Sequence, residues 1–159
     1  ANSFRFTGKF EDKREVKDNI LQREIIAIDA IKFGKGAIPE YSVEAIVREL
    51  TKAYIGFIAG DDLGSKNRKR IATGRWGCGA FKGDSRLKFL IQWIAASRAN
   101  RDLIFYSFED TKLRDAPKIL KKYENKPAGT LVQDILAIAP KLIGEKKVDI
   151  FKMLLQQDN

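Results

Sequence analysis

Residues 73–84 read Thr73-Gly74-Arg75-Trp76-Gly77-Cys78-Gly79-Ala80-Phe81-Lys82-Gly83-Asp84. The four glycines of this stretch are too many for a regular helix or strand, because each one raises the conformational entropy lost on ordering. The stretch therefore predicts a tightly turned loop that lets another group approach its backbone N–H groups. Residues 70–73 predict a short strand before the loop, and the residues after it change to helical spacing.

The helix expected after the loop has one apolar face, formed by Leu87, Leu90, Ile91 and Ile94. Asp84 or Ser85 is expected to cap its N-terminus, with Arg86 and Lys88 facing the solvent. A strand, a glycine-rich loop and a helix N-terminus together bind phosphates, because convergent N–H groups and the helix dipole favour an anion. The spacing matches neither the P-loop nor the dinucleotide-binding fingerprint.

This loop resembles the signature of the poly(ADP-ribose) glycohydrolase family, Thr-Gly-Asn-Trp-Gly-Cys-Gly-Ala-Phe-Gly-Gly-Asp, at ten of its twelve positions. Arg75 stands where the family has Asn, and Lys82 stands where it has Gly. The resemblance implies a diphosphate-binding loop in a macrodomain-like fold. The ligand-binding residues that it implies in this loop are Arg75, Gly77, Cys78, Gly79, Ala80 and Phe81.

Two other segments resemble ligand-side parts of the same family. Residues 101–108 resemble a run whose last Phe stacks on adenine, so the resemblance implies this role for Phe108, with core packing as the alternative. Glu109 stands where the family has Gly. Residues 6–9 resemble Tyr-Thr-Gly-Tyr, whose second Tyr reaches over the ligand. Lys9 occupies that position, unless Phe10 is displaced by one residue to serve in place of the Tyr. Lys9 either contacts a phosphate or is a solvated lysine on an edge strand.

The remaining pattern alternates strands with helices and predicts an α/β fold. Strands are expected at residues 3–10, 25–31 and 102–108, and helices at residues 42–58, 111–123, 130–143 and 147–156. The β-branched run 25–31 is typical of a strand buried on both faces, in which Asp29 has a structural role. The resemblance implies a three-layer α/β/α macrodomain-like domain with a mixed sheet, of which this chain is the later portion with extra C-terminal helices.

The helix expected at residues 42–58 also resembles a segment of the family, over residues 48–57. Ser42 is its expected N-cap, and Glu44 and Glu49 are expected on its polar face. Its apolar stripe is expected to contain Val43, Ile46, Val47, Leu50, Ala53, Tyr54 and Phe57.

The composition narrows the possible functions. The chain has 159 residues, 44% of them apolar, which suits one domain or part of one. It has no histidine, which excludes Ser-His-Asp and Cys-His catalysis within the chain. A single cysteine and no membrane-length apolar run lead us to expect an intracellular protein, nuclear or cytoplasmic. A formal charge of +9 favours polyanionic partners, although no recognition-helix motif indicates sequence-specific nucleic-acid binding.

Two hypotheses of function follow. No pair of carboxylates stands in a pattern typical of glycoside hydrolysis, and the family's Gly-Gly-Gly and Gln-Glu-Glu segment has no counterpart here, so no catalytic residue is assigned. The resemblance implies part of a glycohydrolase that cleaves ribose–ribose bonds of poly(ADP-ribose) and releases ADP-ribose without cofactor or metal. The amino-terminal part of its domain would then lie on another polypeptide or be removed by proteolysis. The alternative is a non-catalytic module that binds ADP-ribose or its polymer, or an interaction module.

Overall fold

The computed structural model describes residues 8, 16–18, 20–21, 24–35, 37–58, 69–145 and 147–157. The helices are α1 (Val43–Ile58), α2 (Ser85–Arg98), α3 (Ala116–Tyr123), α4 (Ala128–Ile138) and α5 (Ile150–Gln156). The strands are β1 (Val16–Lys17), β2 (Ile20–Leu21), β3 (Ile71–Thr73) and β4 (Leu103–Phe105). Short 3-10 helices form at Thr111–Leu113 and Ala139–Leu142. This mixture of helix and strand agrees with the predicted α/β class.

A small parallel sheet determines where the candidate site lies. β3 and β4 pair in parallel, with Ile71 opposite Leu103 and Thr73 opposite Phe105, whereas β1 and β2 pair antiparallel. The pairing continues past the strand ends, because the backbone N–H of Tyr106 donates to Thr73 O at 2.9 Å. Since parallel strands end at the same edge of a sheet, the segments that follow β3 and β4 leave it side by side.

The central helix α2 is buried on nearly all sides. The predicted apolar face is buried, at Leu87, Leu90, Ile91 and Ile94. The prediction that Arg86 and Lys88 face the solvent is wrong, because these side chains are only 8% and 0% exposed. Periodicity identified one buried face, but α1 and the C-terminal helices cover the others. Each buried cation there meets a carboxylate, Arg86 with Asp84 and Lys88 with Glu49.

The predicted start of α1 is confirmed, but its faces are rotated from the predicted ones. Ser42 Oγ accepts a hydrogen bond from the Ala45 N–H at 3.2 Å, which caps the helix. Glu49, predicted on the polar face, is buried, whereas Val43 and Val47 are about half exposed. The buried face of α1 consists of Ala45, Ile46, Glu49, Ala53, Gly56 and Phe57. Glu49 can be buried there because its carboxylate pairs with the buried Lys88 of α2.

The predicted strand at residues 25–31 is wrong in the described structure. The segment forms no ladder, and the Ile25 side chain is 80% exposed. Asp29 is exposed rather than buried, and it pairs with Arg48 and with Lys52 at 2.7 Å. Hydrogen bonds from Lys52 and Arg48 lower the pKa of Asp29 to about 2. A β-branched run favours extended backbone, but a strand also needs a neighbouring strand to pair with. A cleft of about 1120 Å³ separates this segment from β3, so the two do not pair.

The C-terminal half follows the predicted order of helices with shorter elements. The expected helix at 111–123 is a 3-10 turn followed by α3, and the one at 130–143 is α4 followed by a second 3-10 turn. Pro140 lies in that second turn, where the helical hydrogen bonding changes. The expected strand at 102–108 contracts to Leu103–Phe105, because the next residues turn away. The expected strand at 3–10 lies outside the described residues apart from Gly8. None of the described helices has the length and apolarity to cross a bilayer.

Candidate anion- and ring-binding site

The glycine-rich loop leaves β3 as a series of tight turns. The N–H groups of Trp76, Cys78, Lys82 and Gly83 donate to carbonyls within the loop. Within the described residues, the N–H groups of Gly77, Gly79, Ala80 and Phe81 donate no hydrogen bond. All four residues are among the ligand-binding residues that the resemblance implies in this loop. The Cys78 N–H differs from them, because it donates to Arg75 O at 3.1 Å.

The inner side of the loop packs tightly against the protein. A Cβ at Gly77 would lie 2.8 Å from Ala30 Cβ and 3.1 Å from Lys88 Nζ, and Gly77 has a φ of +75°. A Cβ at Gly83 would lie 3.0 Å from Lys88 Cε and 3.0 Å from Gly77 O. A Cβ at Gly79 would meet no atom within 4 Å. Two of the glycines are therefore needed for packing, while Gly79 lies on the open outer side.

Two buried side chains of α2, one turn apart, hold the loop from below. The Gln92 amide donates to Gly74 O at 3.0 Å, and its oxygen accepts from the Thr73 hydroxyl at 2.7 Å. Lys88 Nζ lies 4.3 Å from the centre of the Trp76 ring, whose Nε1–H donates to Ile28 O at 3.2 Å. Burial lowers the pKa of Lys88 to about 8, which leaves the ammonium charged at neutral pH. These contacts fix the loop to the helix that follows it.

Asp84 ends the loop and caps α2, as predicted. Its Oδ1 accepts from the Arg86 N–H at 2.9 Å, and its own N–H donates to Glu40 Oε1 at 2.7 Å. Burial works against the charge of Asp84, but hydrogen bonds from Arg86 outweigh it and hold the pKa of Asp84 below its usual value. Burial raises the pKa of Glu40 to about 7. Both carboxyl groups thus hold backbone at the start of the helix.

Phe108 stands beside the glycine-rich loop, at the same end of the sheet. Its side chain is 69% exposed, so the alternative that it packs in the core is wrong. A Cβ at Gly74 would lie 2.8 Å from Phe108 Cε2, so the ring covers the glycine at the start of the loop. Phe108 has a φ of +51°, a conformation that bulky residues rarely adopt. Such backbone strain is characteristic of ligand sites.

Two of the positions that depart from the family pattern have left-handed backbone. Lys82 has a φ of +62° and Glu109 a φ of +58°, and the family has Gly at both. Glycine adopts this region without steric cost, whereas other L-residues do not. The fold therefore explains why the family pattern has Gly there, and both positions here hold a strained, exposed charged residue.

The remaining implied site residues lie in different surroundings. Arg75 Nη1 forms an ion pair with Asp110 Oδ2 at 3.3 Å, which the sequence reasoning missed. Adjacent parallel strands bring residues 75 and 110 together, and this is the signal that would have found the pair. Burial raises the pKa of the Cys78 thiol to about 12, which keeps the thiol protonated and disfavours the nucleophilic thiolate at neutral pH. Lys9 lies outside the described residues. In the described part of the chain, no cluster of three His, Cys, Asp or Glu side chains is arranged to hold a metal ion.

The sequence matches a known family and its curated members. A family model described as poly(ADP-ribose) glycohydrolase (PARG), Macro domain fold, matches residues 1–115. Poly(ADP-ribose) glycohydrolase 1 of Caenorhabditis elegans is 42% identical over 125 residues, covering 73% of this chain and 16% of that protein. Poly(ADP-ribose) glycohydrolase 2 of the same organism is 38% identical over 129 residues, covering 77% and 26%.

A plant relative gives the same result. Poly(ADP-ribose) glycohydrolase 1 of Arabidopsis thaliana is 41% identical over 187 residues, covering 76% of this chain and 34% of that protein. The chain thus spans only between 16% and 34% of the length of these three relatives. Because the family model covers more than half of the chain, the chain belongs to the poly(ADP-ribose) glycohydrolase family.

Proposed function

We propose that this chain forms the part of a poly(ADP-ribose) glycohydrolase that binds an ADP-ribose unit. The observation that carries the proposal is that one loop contains four N–H groups that donate no hydrogen bond, at Gly77, Gly79, Ala80 and Phe81, and that its first glycine, Gly74, is covered by the exposed ring of Phe108. ADP-ribose consists of a diphosphate between an adenosine and a ribose, and it needs both an anion site and a flat ring surface. The two parts of the site match these two parts of the ligand.

The diphosphate would bind to the glycine-rich loop. Backbone N–H groups of a tight loop can hold an anion without a side-chain cation, and the N-terminus of α2 follows the loop directly. Arg75 is 44% exposed at its side chain and lies at the rim, so it can reach a phosphate or a ribose while it stays close to Asp110. The Cys78 N–H takes no part in this proposal, because it is already bonded within the loop.

The adenine would stack on Phe108. Stacking needs a ring with an open face, and Phe108 is exposed while its backbone holds it against Gly74. Lys9 remains a proposed contact to the ligand, on the strength of its position in the family pattern alone.

Hydrolysis of the ribose–ribose bond would need groups from outside this chain. Cleavage requires a carboxylic acid to protonate the leaving oxygen and a carboxylate to assist the water or the oxocarbenium ion. Among the described residues, three carboxyl groups at the loop and the turn after β4 each accept a hydrogen bond from a backbone N–H. Glu40 accepts from Asp84, Asp84 from Arg86, and Asp110 from Lys112. We therefore place the acid on the amino-terminal part of the domain, and this chain orients the substrate for it.

The unpaired edges of the β3–β4 sheet support the proposal that the amino-terminal part of the domain supplies the acid and this chain binds the substrate. A parallel sheet is normally larger and covered on both faces, yet in the described structure β3 and β4 pair only with each other. The cleft of about 1120 Å³ borders β3, and a second one of about 700 Å³ lies beside β4 and α3. We propose that further strands of a three-layer macrodomain-like domain fill these clefts, supplied by the amino-terminal part on the same or another chain.

A second candidate function is binding without hydrolysis. It is favoured by the departures at Arg75 and Lys82, which add positive charge at the loop where the family has neutral residues. Two more cations strengthen the attraction of a polyanion but do nothing for bond cleavage. Incubating poly(ADP-ribose) with this chain, alone and with the amino-terminal part of a relative, separates the two functions. Release of ADP-ribose only in the mixture supports the glycohydrolase, and binding without release in both supports the module.

Calorimetric titration with ADP-ribose tests the binding site itself. Phe108→Ala is expected to weaken binding by about 1–3 kcal/mol, the usual range for a base stacked on an aromatic ring. Ile143→Ala removes an exposed apolar side chain outside the site and serves as the matched control. An unchanged titration for Phe108→Ala would remove the stacking role from the proposal.

A further inference from the structure

A buried ion pair lies directly beneath the proposed diphosphate loop. Lys88, on α2, has no exposed surface, and its ammonium contacts the carboxylate of Glu49, on α1, which is 1% exposed. Glu49 also accepts from the Ile31 N–H at 2.7 Å and from Arg48 at 2.8 Å. Burying two charges costs free energy that a well-packed apolar pair would not require. The buried pair is therefore expected to have a specific role in the protein besides stability.

The pair has a fixed direction relative to the loop. The ammonium of Lys88 lies 3.1 Å from the position of a Cβ on Gly77, and its Cε lies 3.0 Å from one on Gly83. These two glycines form the neck of the loop, because the Gly83 N–H donates to Gly77 O at 2.9 Å. The carboxylate belongs to α1 and is held there by Ile31 and Arg48. The positive end of the pair thus adjoins the loop.

We propose that Lys88 is a positioning residue of the anion site: it holds the neck of the loop and places a buried positive charge behind the N–H groups that receive the diphosphate. The inference rests on the proposed function, since it assigns a role within that same site. Lys88 has no path to the ligand itself, because it is fully buried beneath the loop backbone. Its charge acts across that backbone, where exclusion of water keeps screening weak.

Paired substitutions separate the charge from the packing. Lys88→Met alone removes the cation that contacts the second carboxylate oxygen of the buried Glu49, leaves Arg48 as its charged partner, and is expected to lower the free energy of unfolding. Glu49→Gln with Lys88→Met removes both charges, keeps the length of the Glu49 side chain and all but the terminal atom of the Lys88 side chain, and keeps an oxygen to accept from the Ile31 N–H. Asp115→Asn with Lys118→Met removes an ion pair from the surface of α3 and is the matched control. Thermal unfolding of the intact protein shows that each variant is folded before binding is measured.

Two ligands distinguish failure of the inference from failure of the proposed function. ADP-ribose carries the diphosphate, and adenosine lacks it. We expect the buried double variant to bind ADP-ribose at least about tenfold more weakly than the wild type, with adenosine unchanged within about twofold. Equal affinity of this variant and the wild type for ADP-ribose would overturn the role of Lys88, as would an equal loss for both ligands. A wild type that binds ADP-ribose no better than adenosine would instead overturn the diphosphate site, and the inference with it.

Nuclear magnetic resonance of the wild-type protein tests the role of Lys88 without relying on a substituted variant. With lysine labelled at the side-chain nitrogen, the resonance of Lys88 Nζ reports the environment of the ammonium. We expect it to shift when inorganic pyrophosphate or ADP-ribose is added, and to remain in place when adenosine is added. A resonance that stays in place while ADP-ribose binds would show that the charge behind the loop does not sense the anion, and would overturn the proposal.

Discussion

Arg75 and Asp110 join the two loops that follow the parallel strands, with 3.3 Å between Nη1 and Oδ2. Asp110 also accepts from the Lys112 N–H at 3.0 Å and so starts the 3-10 helix after the Phe108 turn. Through this ion pair, the loop proposed to bind the diphosphate and the turn proposed to hold the adenine are linked on the side of the ligand. The pair exists only because Arg75 replaces the Asn of the family pattern.

Replacing Arg75 by Asn should affect binding more than stability. The Arg75 side chain is 44% exposed, and an exposed ion pair contributes less than ~1 kcal/mol to the free energy of unfolding. We expect Arg75→Asn to stay within that limit in a denaturant titration, while its affinity for ADP-ribose falls more than its affinity for adenosine. Lys118→Asn, which breaks a surface ion pair on α3, is the control. A loss of stability without any loss of affinity would show that Arg75 only fastens the two loops.

The strained positions 82 and 109 should tolerate glycine. Left-handed backbone costs an ordinary residue about 1–2 kcal/mol, and glycine avoids this cost. Glycine also raises the entropy of the unfolded chain, which offsets part of the gain in stability. We therefore expect Lys82→Gly and Glu109→Gly to leave the free energy of unfolding unchanged or to raise it by up to ~1 kcal/mol. Gln133→Gly, on the exposed side of α4, should lower it by about 0.5–1 kcal/mol. The same loss at positions 82 and 109 would contradict the left-handed assignment.

Substitution by alanine should destabilise the protein at Gly77 but have little effect at Gly79. At Gly77 the new Cβ would lie 2.8 Å from Ala30 Cβ, at a φ of +75°. Overpacking and backbone strain each cost at least about 1 kcal/mol, so we expect Gly77→Ala to lose ~2 kcal/mol or more. At Gly79 nothing lies within 4 Å and the φ is ordinary, so Gly79→Ala should change the free energy of unfolding by less than ~0.5 kcal/mol. Similar losses at both positions would contradict the described packing.

Stability should decrease as pH rises through the range in which Glu40 ionises. Burial raises the pKa of Glu40 from 4.5 to about 7 in the folded chain, so between these values the folded state binds the proton more strongly than the unfolded one. The stabilisation is complete below pH 4.5 and is lost as the pH rises to about 7, by at most ~3 kcal/mol. The lowered pKa values of Asp29, Asp84 and Asp110 act in the opposite sense, but below this range.

Unfolding of the wild type and of Glu40→Gln at pH 5 and pH 8 measures this effect. Glutamine keeps the oxygen that accepts from the Asp84 N–H but does not ionise. The two proteins should be almost equally stable at pH 5, and the variant should be the more stable at pH 8. Glu44→Gln removes an exposed carboxylate from α1 and is the control. A constant difference between wild type and Glu40→Gln would place Glu40 in a solvated environment.

The local features of the site followed from the sequence. Glycine spacing, the helical period after Ser85 and the cap at Asp84 each depend on residues close together in the chain, and all three are confirmed. The burial of Glu49 and Lys88 did not follow, because the two residues are 39 positions apart and each alone is typical of a solvated face. The run at 25–31 was misread for a similar reason. β-Branched residues favour an extended chain but do not specify which strand pairs with it.

The partial burial of Cys78 also affects the chemical reactivity of the proposed site. It is the only thiol of the chain, and it lies between residues proposed to receive the anion. A cysteine near a helix N-terminus is usually acidic and easily oxidised, whereas burial raises the pKa of Cys78 to about 12. At pH 7 the thiol therefore stays protonated, whereas the thiolate is the form that reacts with peroxide and disulfides. The loop should therefore retain its reduced thiol and its shape under oxidising conditions that inactivate proteins with an exposed cysteine beside an anion site.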